Sequence, residues 1–208
     1  MKNMLITGGN SDIARYLSGV FLADQEYCVA SPCRSELDVA SIESVDAYFS
    51  DKFFDVVINC AGSLYAGTIV DSDPLRWIND IQSNLIGTYL VSRMALRKNK
   101  NCLIINIAST AAFNAYKDWT SYCAAKSGVI KLTQGMYKDG YRVIAICPGA
   151  INTKFRDGLS INNPNVMTID EGAAPIISAV KGDYQAGDII FYRKGTIVVN
   201  PDFIVDGV

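Results

Sequence analysis

Apolar positions along the chain fall into two kinds of block. Short runs with little polar interruption occur at Met4 to Thr7, Tyr27 to Ala30, Asp55 to Asn59, Cys102 to Ile107 and Tyr141 to Cys147. Runs of this length, apolar at consecutive rather than alternate positions, suit strands covered on both faces. Between them lie longer segments with helical spacing, at residues 11–23, 41–49, 74–97 and 119–137. Ser41 is placed to cap the second of these, and Asp73-Pro74 forms a cap and first-turn pair for the third. A brief extended piece is expected to end at Leu37-Asp38-Val39.

Repeated alternation of doubly buried strands and helices predicts an α/β architecture, a Rossmann-type doubly wound parallel sheet. It forms one domain over residues 1–208, with no repeat, linker or low-complexity segment. The last third is less regular. Residues from about 151 to 169 are rich in Asn, Gly and polar side chains and are expected to form a compact substrate loop. A helix is predicted over Asp170 to Val180, with Pro175 breaking or kinking it. Asp188 to Tyr192 and Thr196 to Val199 look like strands whose connectivity the pattern leaves open.

Composition narrows the function. The 208 residues are 50% hydrophobic and carry a formal net charge of −2, without the basic excess of a nucleic-acid binder. No apolar run is long enough to cross a bilayer, and a strand begins within three residues of the N-terminus, so a cytoplasmic protein is expected. The six cysteines are dispersed without a C-x-x-C pair, and there is no histidine. A disulfide framework and a metal site are therefore not expected, and neither a Ser-His-Asp nor a Cys-His catalytic system can be assembled.

The first strand runs through Thr7-Gly8-Gly9-Asn10-Ser11-Asp12-Ile13-Ala14 directly into a helix. Glycines there let the backbone approach a pyrophosphate, and the helix N-terminus offers N–H groups and a favourable dipole. Further on, Tyr122 and Lys126 are four residues apart, so phenol and ammonium share a helical face. An ammonium beside a phenol favours phenolate. Ser109 follows the strand ending at Ile107, where a doubly wound sheet presents ligands. Asn59-Cys60-Ala61-Gly62 and Pro148-Gly149-Ala150-Ile151-Asn152-Thr153 end other strands at the same edge, and Asn84 lies in the long helix.

With these motifs in order, the chain resembles a short-chain dehydrogenase/reductase over residues 3 to 153. The resemblance assigns the catalytic Asn, Ser, Tyr and Lys to Asn84, Ser109, Tyr122 and Lys126. It assigns cofactor contacts to the Thr7–Ile13 turn, to Asp38 and Val39, to Asn59, Ala61 and Gly62, and to Pro148, Gly149, Ile151 and Thr153. Tyr122 would exchange a proton with the substrate oxygen, Ser109 would hydrogen-bond that oxygen, and Lys126 would lower the Tyr122 pKa and hold the cofactor ribose. Asn84 would shape its helix so that its backbone carbonyl holds a water in a proton relay. The implied activity is hydride transfer between a nicotinamide and a small carbonyl or alcohol, and the implied assembly is a homodimer or homotetramer.

Three departures matter. Asp12 and Ala14 replace two family glycines, and the Asp12 carboxylate would oppose a pyrophosphate unless it turns away or caps the helix. Arg34 and Ser35, after the second strand, suit a 2′-phosphate and favour NADP, while nearby Glu36 leaves NAD open. The chain is short for the family, although Val205-Asp206-Gly207 is similar to its usual ending. Leu64, Tyr116, Trp119 and Phe155 are candidate pocket residues. A regulatory cofactor-binding protein without turnover, and a sugar-nucleotide epimerase or dehydratase, are the alternatives.

Overall fold

A computed structural model describes residues 1–156 and 163–201. Seven strands form one sheet in the order β2-β1-β3-β4-β5-β6-β7. They are β1 (Lys2–Ile6), β2 (Tyr27–Ala30), β3 (Val56–Asn59), β4 (Leu103–Ile107), β5 (Val143–Pro148), β6 (Ile189–Arg193) and β7 (Thr196–Val199). The first six are parallel, and β7 returns antiparallel beside β6. That hairpin answers the connectivity left open above. It turns at Lys194-Gly195, where Gly195 has φ +73, a left-handed conformation open to glycine.

Helices cover both faces, as a sheet of continuously apolar strands requires. α1 (Asp12–Ala23) and α6 (Ile169–Lys181) pack on the face bearing Met4, Ile6, Ile58, Ile105 and Ile146. α2 (Ile42–Tyr48), α4 (Gly87–Lys98) and α5 (Thr120–Lys138) lie on the opposite side, with Leu5, Val57 and Ile104. Adjacent strand residues thus go to opposite cores, and each fully buried Ile or Leu contributes about 1.5–3 kcal/mol. Ser11 caps α1 and Ser41 caps α2, each side chain accepting a backbone N–H.

The long helix over 74–97 is three segments: α3 (Pro74–Ile81), a π-helical turn at Gln82–Ile86 and α4. Asp73 caps α3 by accepting from Leu75 N and Arg76 N. Two expectations need correction. No strand ends at Leu37-Asp38-Val39. The chain turns at Arg34–Glu36 instead, where Cys33 N donates to the Glu36 carboxylate (2.9 Å) and Asp38 N to the Ser44 hydroxyl (2.9 Å). Pro175 does not break its helix. The lost N–H is tolerated because a Thr168–Glu171 capping box opens α6, Gly182 (φ +92) closes it, and Ala173, Pro175, Ile176 and Ala179 are buried. The expected loop near 151–169 is pinned by a bridge between Ile151 and Met167 and by a short 3₁₀ turn at Lys154–Arg156. Its residues 157–162, and Val205 to Gly207, lie outside the described residues.

Candidate active site

Strand order reverses between β1 and β3, so the connections leaving their carboxyl ends pass to opposite faces of the sheet and leave a crevice there. The Thr7–Ile13 turn forms its floor. Gly8 has φ +75, and a Cβ at Gly9 would stand 2.1 Å from the Ser31 carbonyl oxygen. No side chain fits at Gly9 unless the turn moves away from the end of β2. The Thr7 hydroxyl accepts from Cys60 N (3.1 Å) and Ala61 N (3.0 Å), tying the loop after β3 to the turn after β1. Asn10, Ser11, Asp12 and Ile13 then line a cavity of about 580 Å³.

That cavity continues to the proposed catalytic side chains. Ser109, Tyr122, Lys126 and Asn84 all line it, although they come from β4's end, α5 and the π turn. The register of β3, β4 and β5 brings these carboxyl ends level. The Ser109 hydroxyl accepts from Ala111 N (3.1 Å) and stands near enough to the Tyr122 phenol to favour its anion. Lys126 is 5% exposed and its Nζ donates to the Ile107 carbonyl (2.8 Å), with the ammonium 5.5 Å from the Tyr122 ring centre. Trp119 and Phe155 rings flank Tyr122 at 6.0 and 6.1 Å, and both line the cavity with Leu64 and Tyr116.

Burial pushes the Tyr122 phenol well above its ordinary value of 10.0; the Ser109 hydroxyl opposes the rise and the Asp80 carboxylate adds to it. The dry wall that seats the phenol disfavours phenolate more than its polar neighbours favour it. Burial also pulls Lys126 down, from 10.5 to about 8.

A buried carboxylate that the sequence reading missed stands behind these groups. Asp80, in α3, is 1% exposed and accepts from the hydroxyls of Ser63 (2.7 Å) and Ser121 (2.7 Å) and from Asn84 Nδ2 (3.0 Å). Its spacing was the available signal: Asp80 is one helical turn before Asn84, and Ser121 immediately precedes Tyr122.

Asp12 lines the cavity with its carboxylate engaged by a backbone N–H. Its Oδ2 accepts from Lys154 N at 2.7 Å, so the carboxylate anchors the 3₁₀ turn that carries Phe155. Gly62, Pro148, Gly149, Ile151 and Thr153 line the cavity as the motifs imply. Other motif residues lie elsewhere. Asn59 points into the sheet, donating to Ser92 Oγ and Asn106 Oδ1 (2.9 Å each). Val39 is buried against Gly87. Asp38 pairs with Arg34 (3.2 Å), whose side chain is otherwise exposed, and the Ser35 hydroxyl lies 3.0 Å from Cys33 Sγ.

The residues present fit a dinucleotide. Gly8 and Gly9 let the turn pack against the Ala61 and Ser31 backbone, and the α1 N-terminus that follows faces the cavity. Two buried polar atoms along this edge have no hydrogen-bond partner among the described residues: Ser31 Oγ, just past β2, and Asn84 Oδ1, beside Lys126. Unpaired buried oxygens cost about 1–3 kcal/mol each, so they mark places where a ligand hydroxyl or water belongs. Among the described residues no cluster suited to a metal ion occurs, and no helix is long and apolar enough to cross a membrane.

Comparison with known proteins agrees with this geometry. The sequence profile of the short chain dehydrogenase family matches residues 33–163. An uncharacterized oxidoreductase of Staphylococcus aureus (strain MRSA252) is 35% identical over 162 residues, which span 72% of this chain and 68% of the relative. A small-chain dehydrogenase solved in complex with NADPH superposes with a TM-score of 0.83 at 21% identity, covering 93% of this chain and 97% of that one. A 4-hydroxyisoleucine dehydrogenase complexed with NADH gives 0.81 at 20% identity, over 94% and 98%. The chain belongs to the short-chain dehydrogenase family and is an NAD(P)-dependent oxidoreductase.

Proposed function

We propose that this protein reduces a small carbonyl substrate with NADPH, using Tyr122 as the proton donor. The observation that carries the reading is the convergence of the Ser109 hydroxyl, the Tyr122 phenol and the Lys126 ammonium on one wall of the cavity that begins at the phosphate-binding turn. The nicotinamide, when bound, supplies the hydride. Gly8, Gly9 and the α1 N-terminus would hold the diphosphate, and Lys126 the ribose.

The chain's own groups do the acid–base work. The Ser109 hydroxyl and the Tyr122 phenol each carry one O–H, and a substrate oxygen seated between them would accept from both. Tyr122 stays protonated through the neutral range, because burial raises it, and a protonated phenol is the form that reduction requires. Trp119, Phe155, Tyr116 and Leu64 shed water from the reacting carbon and favour an apolar substituent there.

The choice of NADP rests on the turn after β2. Glu36, the acid that would favour NAD, is engaged by Cys33 N, while the Arg34 side chain is 79% exposed and Ser31 Oγ is unpartnered. We also place the protein in the cytoplasm as a homodimer or homotetramer. Exposed Tyr89 on α4, Tyr137 on α5 and Ile197 to Val199 along β7 support that assembly, which light scattering would check.

The test is oxidation of NADPH and NADH over a panel of small aldehydes and ketones, with Tyr122→Phe as the control. We expect turnover, a lower KM for NADPH, and a loss of about 10²-fold or more in kcat for the variant. Tyr122→Phe turning over at the normal rate would overturn the assignment.

A further inference from the structure

Three cationic side chains line the cavity: Lys126, Lys154 and Arg193. Two of them stand by parts of the site already described. Lys126 lies beside Tyr122 and donates to the Ile107 carbonyl (2.8 Å). Lys154 follows Thr153, and its N–H donates to Asp12 at the head of α1. Arg193, the last residue of β6, has no ion pair or hydrogen bond to its guanidinium among the described residues.

The fold nonetheless builds a seat for it. Gly149 N donates to the Tyr192 carbonyl (2.8 Å), which sets the end of β5 against the end of β6. A Cβ on Gly149 would stand 3.1 Å from Arg193 Cγ, so the bare glycine leaves room for the arginine stem. The guanidinium lies 5.1 Å from the centre of the Phe191 ring, and that ring packs edge-on against Phe113 at 5.3 Å. Ile189, Phe191 and Arg193 alternate along β6 and so share a face. On that face Ile189 packs with Val129 and Ile130 of α5, which places Arg193 on the side of the sheet that carries Tyr122.

The register gives the separation. Ile107 pairs with Ile146 and Pro148 with Tyr192, so the ends of β4, β5 and β6 are level. Ser109 and Arg193 therefore stand two strand spacings apart, about 10 Å between backbones. A short substrate and the two side chains span that gap together. The acids that share a cavity with Arg193 are engaged by backbone N–H groups. Asp12 accepts from Lys154 N (2.7 Å), and Glu171, in the groove beyond Arg193, accepts from Thr168 N (2.8 Å).

We propose that Arg193 is the anion-binding residue of the substrate site and that the substrate is a small oxo acid, its carbonyl at Ser109 and Tyr122 and its carboxylate on the Arg193 guanidinium. One planar fork matches one carboxylate in shape and charge, whereas a phosphate ester would call for a second cation here. The Trp119 and Phe155 rings then take the apolar substituent on the carbonyl. The carbonyl carbon receives the hydride of NADPH and its oxygen the Tyr122 proton, giving a hydroxy acid and NADP⁺; the carboxylate is unchanged. The proposal rests on the reading of Tyr122 given above.

Matched pairs test it: 2-oxobutanoate and 3-oxobutanoate, each against its methyl ester, followed by NADPH oxidation. We expect the acid to exceed its ester in kcat/KM by about tenfold or more in one pair, with an advantage that shrinks as salt is added. Arg193→Met should lower that acid-to-ester ratio by about tenfold or more, chiefly through KM. Arg193→Lys keeps the charge but loses the fork and should fall between. Lys194→Met, next in the chain but not lining this cavity, should keep the wild-type ratio. Esters reduced as well as acids in both pairs, or a ratio that Arg193→Met leaves unchanged, overturns the proposal. If Arg193→Met fails to fold, Arg193→Lys and the wild-type ratios decide. Occupancy is also readable without turnover. Butanoate, but not butanamide, should change the fluorescence of NADPH bound to the wild type, with a Kd about tenfold or more weaker in Arg193→Met. Equal responses to both compounds would count against Arg193. Turnover of esters without preference for acids refutes the oxo-acid assignment alone, whereas a fully active Tyr122→Phe refutes the catalytic reading beneath it.

Discussion

Lys126 gives a stability prediction that does not depend on knowing the substrate. Its ammonium is 5% exposed, and burial lowers its pKa from 10.5 to about 8. Between those values the unfolded chain binds the proton and the folded chain does not, so stability rises with pH across that window. This contribution is fully present above about 10.5 and is lost as pH falls through about 8. At about 1.4 kcal/mol per pH unit, carrying the buried charge at neutrality costs about 3 kcal/mol. Integrated from about pH 7 to pH 9, relief of that cost adds about 1 kcal/mol. Lys126→Met removes the titration and also the bond to the Ile107 carbonyl. Urea unfolding of both proteins at several pH values should therefore show a free-energy gap that changes by about 1 kcal/mol over the range, in favour of wild type as pH rises. Burial raises the Cys60 thiol to about 11 and those of Cys102 and Cys147 to about 12. These thiols are common to both proteins and largely cancel in the comparison. A gap that stays flat would mean that Lys126 keeps an ordinary ammonium pKa, and the dry wall inferred around Tyr122 would be wrong with it.

Two further outcomes follow from the crevice floor and its anchor. Gly9→Ala places a methyl 2.1 Å from the Ser31 carbonyl oxygen and 2.8 Å from its carbon. The turn must shift, with a loss of about 1–3 kcal/mol in urea unfolding and weaker NADPH binding by fluorescence titration; an unchanged Kd would show that this backbone does not approach the cofactor. Asp12→Ala loses the 2.7 Å bond to Lys154 N, whereas Asp12→Asn retains an acceptor. Limited proteolysis should cut near the Lys154–Arg156 turn faster in Asp12→Ala, and a Tm about 2–4 °C lower is expected, with Asp12→Asn close to wild type. Equal cleavage in all three proteins would remove Asp12 as the anchor.

Much of the framework is determined locally and could be read along the chain. Consecutive apolar residues at Asp55–Asn59 and Cys102–Ile107 can be buried only on both faces of a sheet, and Ser11, Ser41 and Asp73 sit where helices need an acceptor. Order and spacing identify Ser109, Tyr122 and Lys126, because strand ends and a helix face deliver them to one edge. The remaining features depend on partners distant in sequence. Asp12 could have faced a phosphate or turned aside, and the deciding group, Lys154 N, is 142 residues away. Glu36 reads as a free acid past the second strand, but a turn that hydrophobic spacing does not register brings its carboxylate to Cys33 N. Asn59 reads as a cofactor contact by motif, yet Ser92 and Asn106 draw its amide into the sheet. Asp80, polar within a helix, reads as surface until Ser63, Asn84 and Ser121 close around it. Hydrophobic periodicity settles which backbone segments are covered, because burial depends on a residue's own side chain. Where a polar side chain points depends on which donors the fold brings within about 3 Å of it, and that is a property of the assembled structure.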